Sequence, residues 1–215
     1  MNELFAFWLL CLTSLFTMIN PIGVIPVYMA LVRDLEPASA QRVALKAVFF
    51  AFIILVIFAL GGNAIFHFFN IRIDSLKVVG GVLFFILGFD MLQVRMDRPR
   101  KPEETLSQFI DDIAITPLAI PFICGPGAIT MVILLYRDAA GLAHQAVFFL
   151  ALALVVTLTG IILLGGRKVL GALGTSGTKV MMRIMGLIVM VIAVEFFFSG
   201  LTPIVREMLL ISPES

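Results

Sequence analysis

Charge is scarce in this sequence. Only 13% of its 215 residues are Asp, Glu, Lys or Arg, about half the share of a soluble domain. Hydrophobic residues make up 61% and mean hydropathy is +1.12. A soluble core is therefore excluded, and an integral membrane protein is expected. Cysteine is also scarce: Cys11 and Cys124 both lie in apolar runs. That pattern argues against a disulfide framework or a thiolate metal site, because such thiols usually behave as small hydrophobes. The two histidines, His67 and His144, stand alone near the ends of apolar runs, so no metal site and no cofactor is expected. Net charge is +1 with basic residues scattered over loops, and no nucleic-acid partner is expected. The start, Met1-Asn2-Glu3, has no basic n-region, so no cleaved signal peptide is read. Period-two alternation is missing as well, which argues against a β-barrel.

Long apolar runs are what the chain has. A helix crossing a bilayer needs about 20 such residues, and six segments qualify: Leu4–Val32, Ala47–Phe66, Ser75–Val94, Ile113–Tyr136, Ala146–Gly166 and Ile184–Val205. The expected class is an all-α membrane protein of six transmembrane helices. In a six-span chain, 11 of the Lys and Arg residues fall on one side, among them Arg33, Lys46, Arg95, Lys101, Arg167 and Arg183. Only 4 fall on the other: Arg72, Lys77, Arg137 and Arg206. The positive-inside rule then puts both termini outside the cytoplasm and the polar stretch Arg95–Asp112 inside it.

The halves resemble each other. Pro21 and Gly23 lead to Arg33-Asp34, as Pro126-Gly127 lead to Arg137-Asp138. Gly80 matches Gly186 at an offset of 106, and Asp90 matches Glu195 at 105. Residues 1–95 read as one three-helix repeat, 96–112 as a cytoplasmic linker and 113–215 as a second repeat. Three spans per copy force the second copy upside down. Inverted repeats with interrupted helices at matching positions are a mark of secondary transporters.

Spans 1 and 4 carry the expected interruptions. "TMINPIGVIPVY" sets Asn20, Pro21, Gly23 and Pro26 in the middle of a 29-residue uncharged run. Straight helix of that length would measure about 44 Å against a hydrocarbon core of about 30 Å. Asn20 is a good N-cap and Pro21 suits the first helical position; Gly125 and Pro126 repeat that grammar. Each new start offers backbone N–H groups to an anion, near Ile22–Val24 and Gly127–Ile129. Each preceding end offers carbonyls, near Thr17–Ile19 and Phe122–Ile123, to an ammonium group or a small cation. Two opposite poles close together fit a zwitterion. Thr116 and Thr130 are further hydrogen-bonding candidates. Glu195 is placed near the bilayer midplane and Asp90 nearer the cytoplasmic end, and both are candidates for proton or ion coupling.

"INPIGVIPVY" and "PLAIPFICGPGAIT" together resemble the two hallmark segments of the MarC family, which includes SnatA-like small neutral amino acid transporters. The resemblance covers nearly the whole chain. It implies a multi-pass transporter of glycine, alanine or similar amino acids in a bacterial inner membrane, and no enzyme. Carried over by motif, the site comprises Asn20, Pro21, Gly23, Gly125, Pro126, Gly127 and Thr130. The expected partners are a small amino acid, a coupling H⁺ or Na⁺ and the lipid bilayer, with a homo-oligomer left open. Two alternatives remain at this point: a thiol–disulfide electron carrier using Cys11 and Cys124, and a metal-ion exporter. The orientation is directly testable. A phosphatase or fluorescent reporter fused after Ser215 is expected to report a location outside the cytoplasm, and a cytoplasmic signal would contradict the topology.

Overall fold

The computed structural model describes residues 3–93 and 105–209, without the side chains of 167–175 and 178. Seven helices make up the described chain: α1 (Glu3–Ile19), α2 (Pro21–Leu31), α3 (Pro37–Phe68), α4 (Ile73–Leu92), α5 (Leu106–Ile113), α6 (Pro126–Asp138) and α7 (Gly141–Met208). A wide-turned segment, Ala114–Ile123, joins α5 to α6. No strand occurs among the described residues. Six stretches are long and apolar enough to cross a membrane: Glu3–Leu31, Pro37–Phe68, Ile73–Leu92, Leu106–Ile123, Gly141–Gly166 and Lys179–Met208.

Contacts give the direction of each stretch. Phe7 packs edge-on to His144 at 5.2 Å, and Gly166 lies beside Ile25 and Met29, so α1–α2 runs parallel to the first part of α7. The buried Tyr28 hydroxyl donates to the Ala40 carbonyl at 2.9 Å, closing α2 back on α3. The Cys124 thiol donates to Ala51 O at 3.4 Å and Ile133 covers Gly62, so α6 runs parallel to α3. Gly88, Gly81 and Asp74 of α4 meet Gly186, Ala193 and Gly200 of α7. Falling numbers against rising ones make that pair antiparallel.

Small residues explain how closely these helices approach. Ala40, Ala44, Ala47, Ala51 and Ala59 are all buried on one face of α3, at the spacing of a helical stripe. On α4 and α7 the small residues recur every seven positions. A Cβ on Gly81 would sit 2.7 Å from Ala193 O, and one on Gly186 would sit 2.7 Å from Gly88 O. The other faces remain apolar: Phe49, Ile57, Val79, Ile86, Leu150 and Val191 are all more than half exposed. That surface suits lipid, not water.

A helix begins inside the stretch expected to be the linker. Thr105 caps α5, accepting from the Gln108 N–H at 3.3 Å while Gln108 Oε1 accepts from the Thr105 N–H at 3.0 Å. This capping box starts the helix at Leu106, inside the stretch read as a polar loop. Lys46 donates to Asp111, holding α5 against α3; residues 94–104 lie outside the described residues. The fourth apolar span also begins earlier than its uncharged run, at Leu106 and not Ile113. Inside it, Thr116 and Ile120 are extended, as residues before proline tend to be.

The α4–α7 contact is testable. Gly81→Leu and Gly186→Leu drive a side chain into backbone and are each expected to cost at least about 1–3 kcal/mol. Gly165→Ala, whose Cβ meets nothing within 4 Å, is expected to be neutral or stabilising by up to about 1 kcal/mol. Thermal loss of the monodisperse peak in detergent compares the three.

Candidate functional site

The site grows from two prolines. A helical carbonyl accepts from the N–H four residues on, and proline has none. Pro21 therefore leaves the Thr17 carbonyl without its helical donor, and Pro126 does the same for Phe122. At the first interruption, α1 stops at Ile19 and α2 starts at Pro21. Asn20 between them is left-handed, with φ 48° and ψ 64°, a conformation that asparagine tolerates better than most residues. Its side-chain oxygen accepts from the Gly23 N–H at 3.2 Å. Glycine at 23 leaves the capping amide undisturbed, since a Cβ would sit 2.5 Å from Asn20 Nδ2. This corrects one expectation. The Gly23 N–H is capped by the chain's own Asn20, so it is not a free anion donor.

The second interruption is built differently. The backbone N–H of Cys124 donates to Ala119 O at 2.8 Å, across one residue more than an ordinary helical turn. Gly125 then starts α6 with no side-chain cap. The N–H groups of Gly127 and Ala128, in the first turn, are therefore uncapped by any side chain. Further along α6, the Thr130 hydroxyl is buried and has no hydrogen-bond partner. Thr130 is only 7% exposed, a setting in which an unsatisfied hydroxyl is costly.

A cavity of about 270 Å³ lies at the first interruption. Thr17, Asn20 and Gly23 line it from α1 and α2, Phe84 from α4, Phe122 from the segment before α6, and Phe196 from α7. The rings form one cluster. Phe84 stacks on Phe122 with centroids 6.4 Å apart, and meets Phe196 edge-on at 6.2 Å. Both glycines of the second interruption lie directly behind this wall. A Cβ on Gly125 would sit 2.6 Å from Phe84 Cζ, and one on Gly127 would sit 2.6 Å from Phe196 Cζ. The aromatic wall thus separates the cavity from the start of α6.

The residues singled out in the sequence divide accordingly. Asn20 and Gly23 line the cavity. Pro21 is buried at the start of α2. Gly125 and Gly127 back the aromatic wall, and Pro126 packs against Gly80. Thr130 is not a lining residue, and neither are Asp90 and Glu195. Asp90 is half-buried near the end of α4, while Glu195 is exposed on α7. Cys11 and Cys124 are both buried and form no disulfide, and among the described residues no three His, Cys, Asp or Glu side chains gather. The sequence reading missed Phe84 and Phe196, and singled out Phe122 for its carbonyl and not for its ring. Nothing distinguished them among 20 phenylalanines, because their role depends on which helices meet.

Residues 5–205 match the MarC family of integral membrane proteins. A UPF0056 membrane protein of Pyrococcus horikoshii is 37% identical over 202 residues, covering 94% of this chain and 97% of that one. Another, from Methanocaldococcus jannaschii, is 33% identical over 196 residues, covering 91% and 96%. The UPF0056 membrane protein YvbG of Bacillus subtilis is 33% identical over 201 residues, covering 92% and 95%. No solved structure matches. With six membrane-length apolar stretches and a match along nearly its whole length, the chain is a multi-pass integral membrane protein and belongs to the MarC family.

Proposed function

We propose that the protein is a secondary transporter of small neutral amino acids such as glycine and alanine, driven by H⁺ or Na⁺. One observation carries this reading: a single cavity is bordered by both proline interruptions. Irregular backbone at membrane depth is tolerated where it lines a cavity. The cavity offers what a zwitterion needs. The carbonyls of Thr17 and Phe122 lack helical donors and suit an ammonium group. The side-chain N–H₂ of Asn20, on the cavity wall, suits a carboxylate. The wall itself is apolar and suits a small neutral side chain.

Spans 1 and 4 run in opposite directions and share the same proline grammar. We read them as equivalent members of two inverted repeats that rock about the site and expose it alternately. Asp90 and Glu195 stay as coupling candidates, although neither lines the cavity in this conformation. The proposed setting is a bacterial inner membrane with both termini periplasmic. The thiol–disulfide and metal-export alternatives gain no support, since the thiols are buried and no ligand cluster forms among the described residues.

Flux tests the reading. Purified protein in proteoliposomes is expected to take up labelled glycine or alanine saturably, and an inward H⁺ or Na⁺ gradient is expected to change the rate. No saturable flux of any small neutral amino acid would overturn it. Gly23→Leu breaks the Asn20 cap, and Gly127→Leu displaces Phe196. Each is expected to reduce glycine flux at least about tenfold, the scale on which a misplaced binding group acts, with membrane insertion retained. Normal flux in both variants would reduce the interruptions to simple kinks.

A further inference from the structure

We infer that Phe84 and Phe196, each seated on a glycine of the second interruption, set the largest side chain that the cavity admits. This rests on the reading of the cavity as a transport site. The two rings come from α4 and α7, whereas their seats, Gly125 and Gly127, begin α6. Each ring carbon Cζ lies only 2.6 Å from the place a Cβ would take. The rings therefore lie flush on bare backbone, and glycine is what lets them do so. Phe84 is held further by Phe122, stacked at an interplanar angle of 23°, and by the edge of Phe196 at 72°. An aromatic ring has only two rotatable bonds and cannot shorten, so a wall of interlocked rings defines a firm boundary.

The consequence for selection is steric. Glycine and alanine bring no more than a methyl group, which leaves the rings on their seats. A branched side chain needs the space that a ring occupies. Unseating one ring disturbs the other, because the two are in contact. Discrimination by a fitted apolar wall runs at about 10–200-fold per methylene group. Two glycines and two phenylalanines, distant in sequence, thus act together as a size filter. Selectivity changes in opposite directions when the seats are filled and when the rings are removed.

The experiment measures labelled glycine, alanine and leucine uptake by wild type and variants in the same proteoliposome system. In G125A and G127A the added methyl pushes a ring into the cavity. The alanine-to-glycine ratio of Vmax/KM is expected to fall at least about tenfold, the lower end of the one-methylene range. In F84A and F196A space opens, and leucine uptake relative to glycine is expected to rise at least about tenfold on the same scale. F84L and F196L, which keep the packing volume better, are expected to shift the ratio less in the same direction, and they serve if the alanine variants do not insert. Unchanged ratios in all inserted variants, with wild-type glycine flux intact, would overturn the size filter and leave the transport reading standing. Absence of saturable flux in wild type would remove both.

Discussion

Two missing backbone N–H groups organise this protein. Proline at 21 and at 126 withholds a donor from the carbonyls of Thr17 and Phe122, in a chain whose outer surface suits lipid. Hydrocarbon supplies no replacement partner, and an unsatisfied group there costs several kcal/mol. Both interruptions must therefore be enclosed by protein. Asn20 makes one of them self-supporting, through a left-handed backbone and a cap on Gly23. The other lacks a capping side chain and lies behind the rings of Phe84 and Phe196.

Enclosure of this kind requires close helix packing, and small residues provide it. The alanine face of α3 lets α6 approach until the Cys124 thiol reaches the Ala51 carbonyl. The Gly81–Ala193 and Gly88–Gly186 contacts bring α4 and α7 almost to backbone contact. With no hydrophobic drive between helices in lipid, such close packing holds them together. It also brings Phe84 and Phe196 together in front of the α6 start. The same contacts that stabilise the bundle thus shape the cavity.

Much of the architecture was legible in the sequence, for a physical reason. Transmembrane helices must be long and apolar, so six runs were visible before any contact was known. The interruptions were visible too, because proline and asparagine act on their own neighbours. Boundaries were less legible. The start of α5 depends on the Thr105–Gln108 capping box, which lies in a stretch whose prolines and charges read as loop. The occupied Gly23 donor depends on a side-chain rotamer of Asn20, which composition does not reveal. Spacing placed Glu195 within the sixth apolar run, but not the direction it faces, which is outward on α7.

What the sequence determined by itself is local: six apolar spans, their charge asymmetry, and the carbonyls of Thr17 and Phe122 deprived of helical donors by the prolines four residues later. These follow from composition and covalent structure, whatever the partners. Only the tertiary structure decided that Phe84, Phe122 and Phe196 form one wall, that Gly125 and Gly127 stand behind it, and that Thr130 is buried without a partner. Each of those facts depends on the register between helices far apart in the chain. That register is set by backbone approach at glycine and alanine, and no residue expresses it alone.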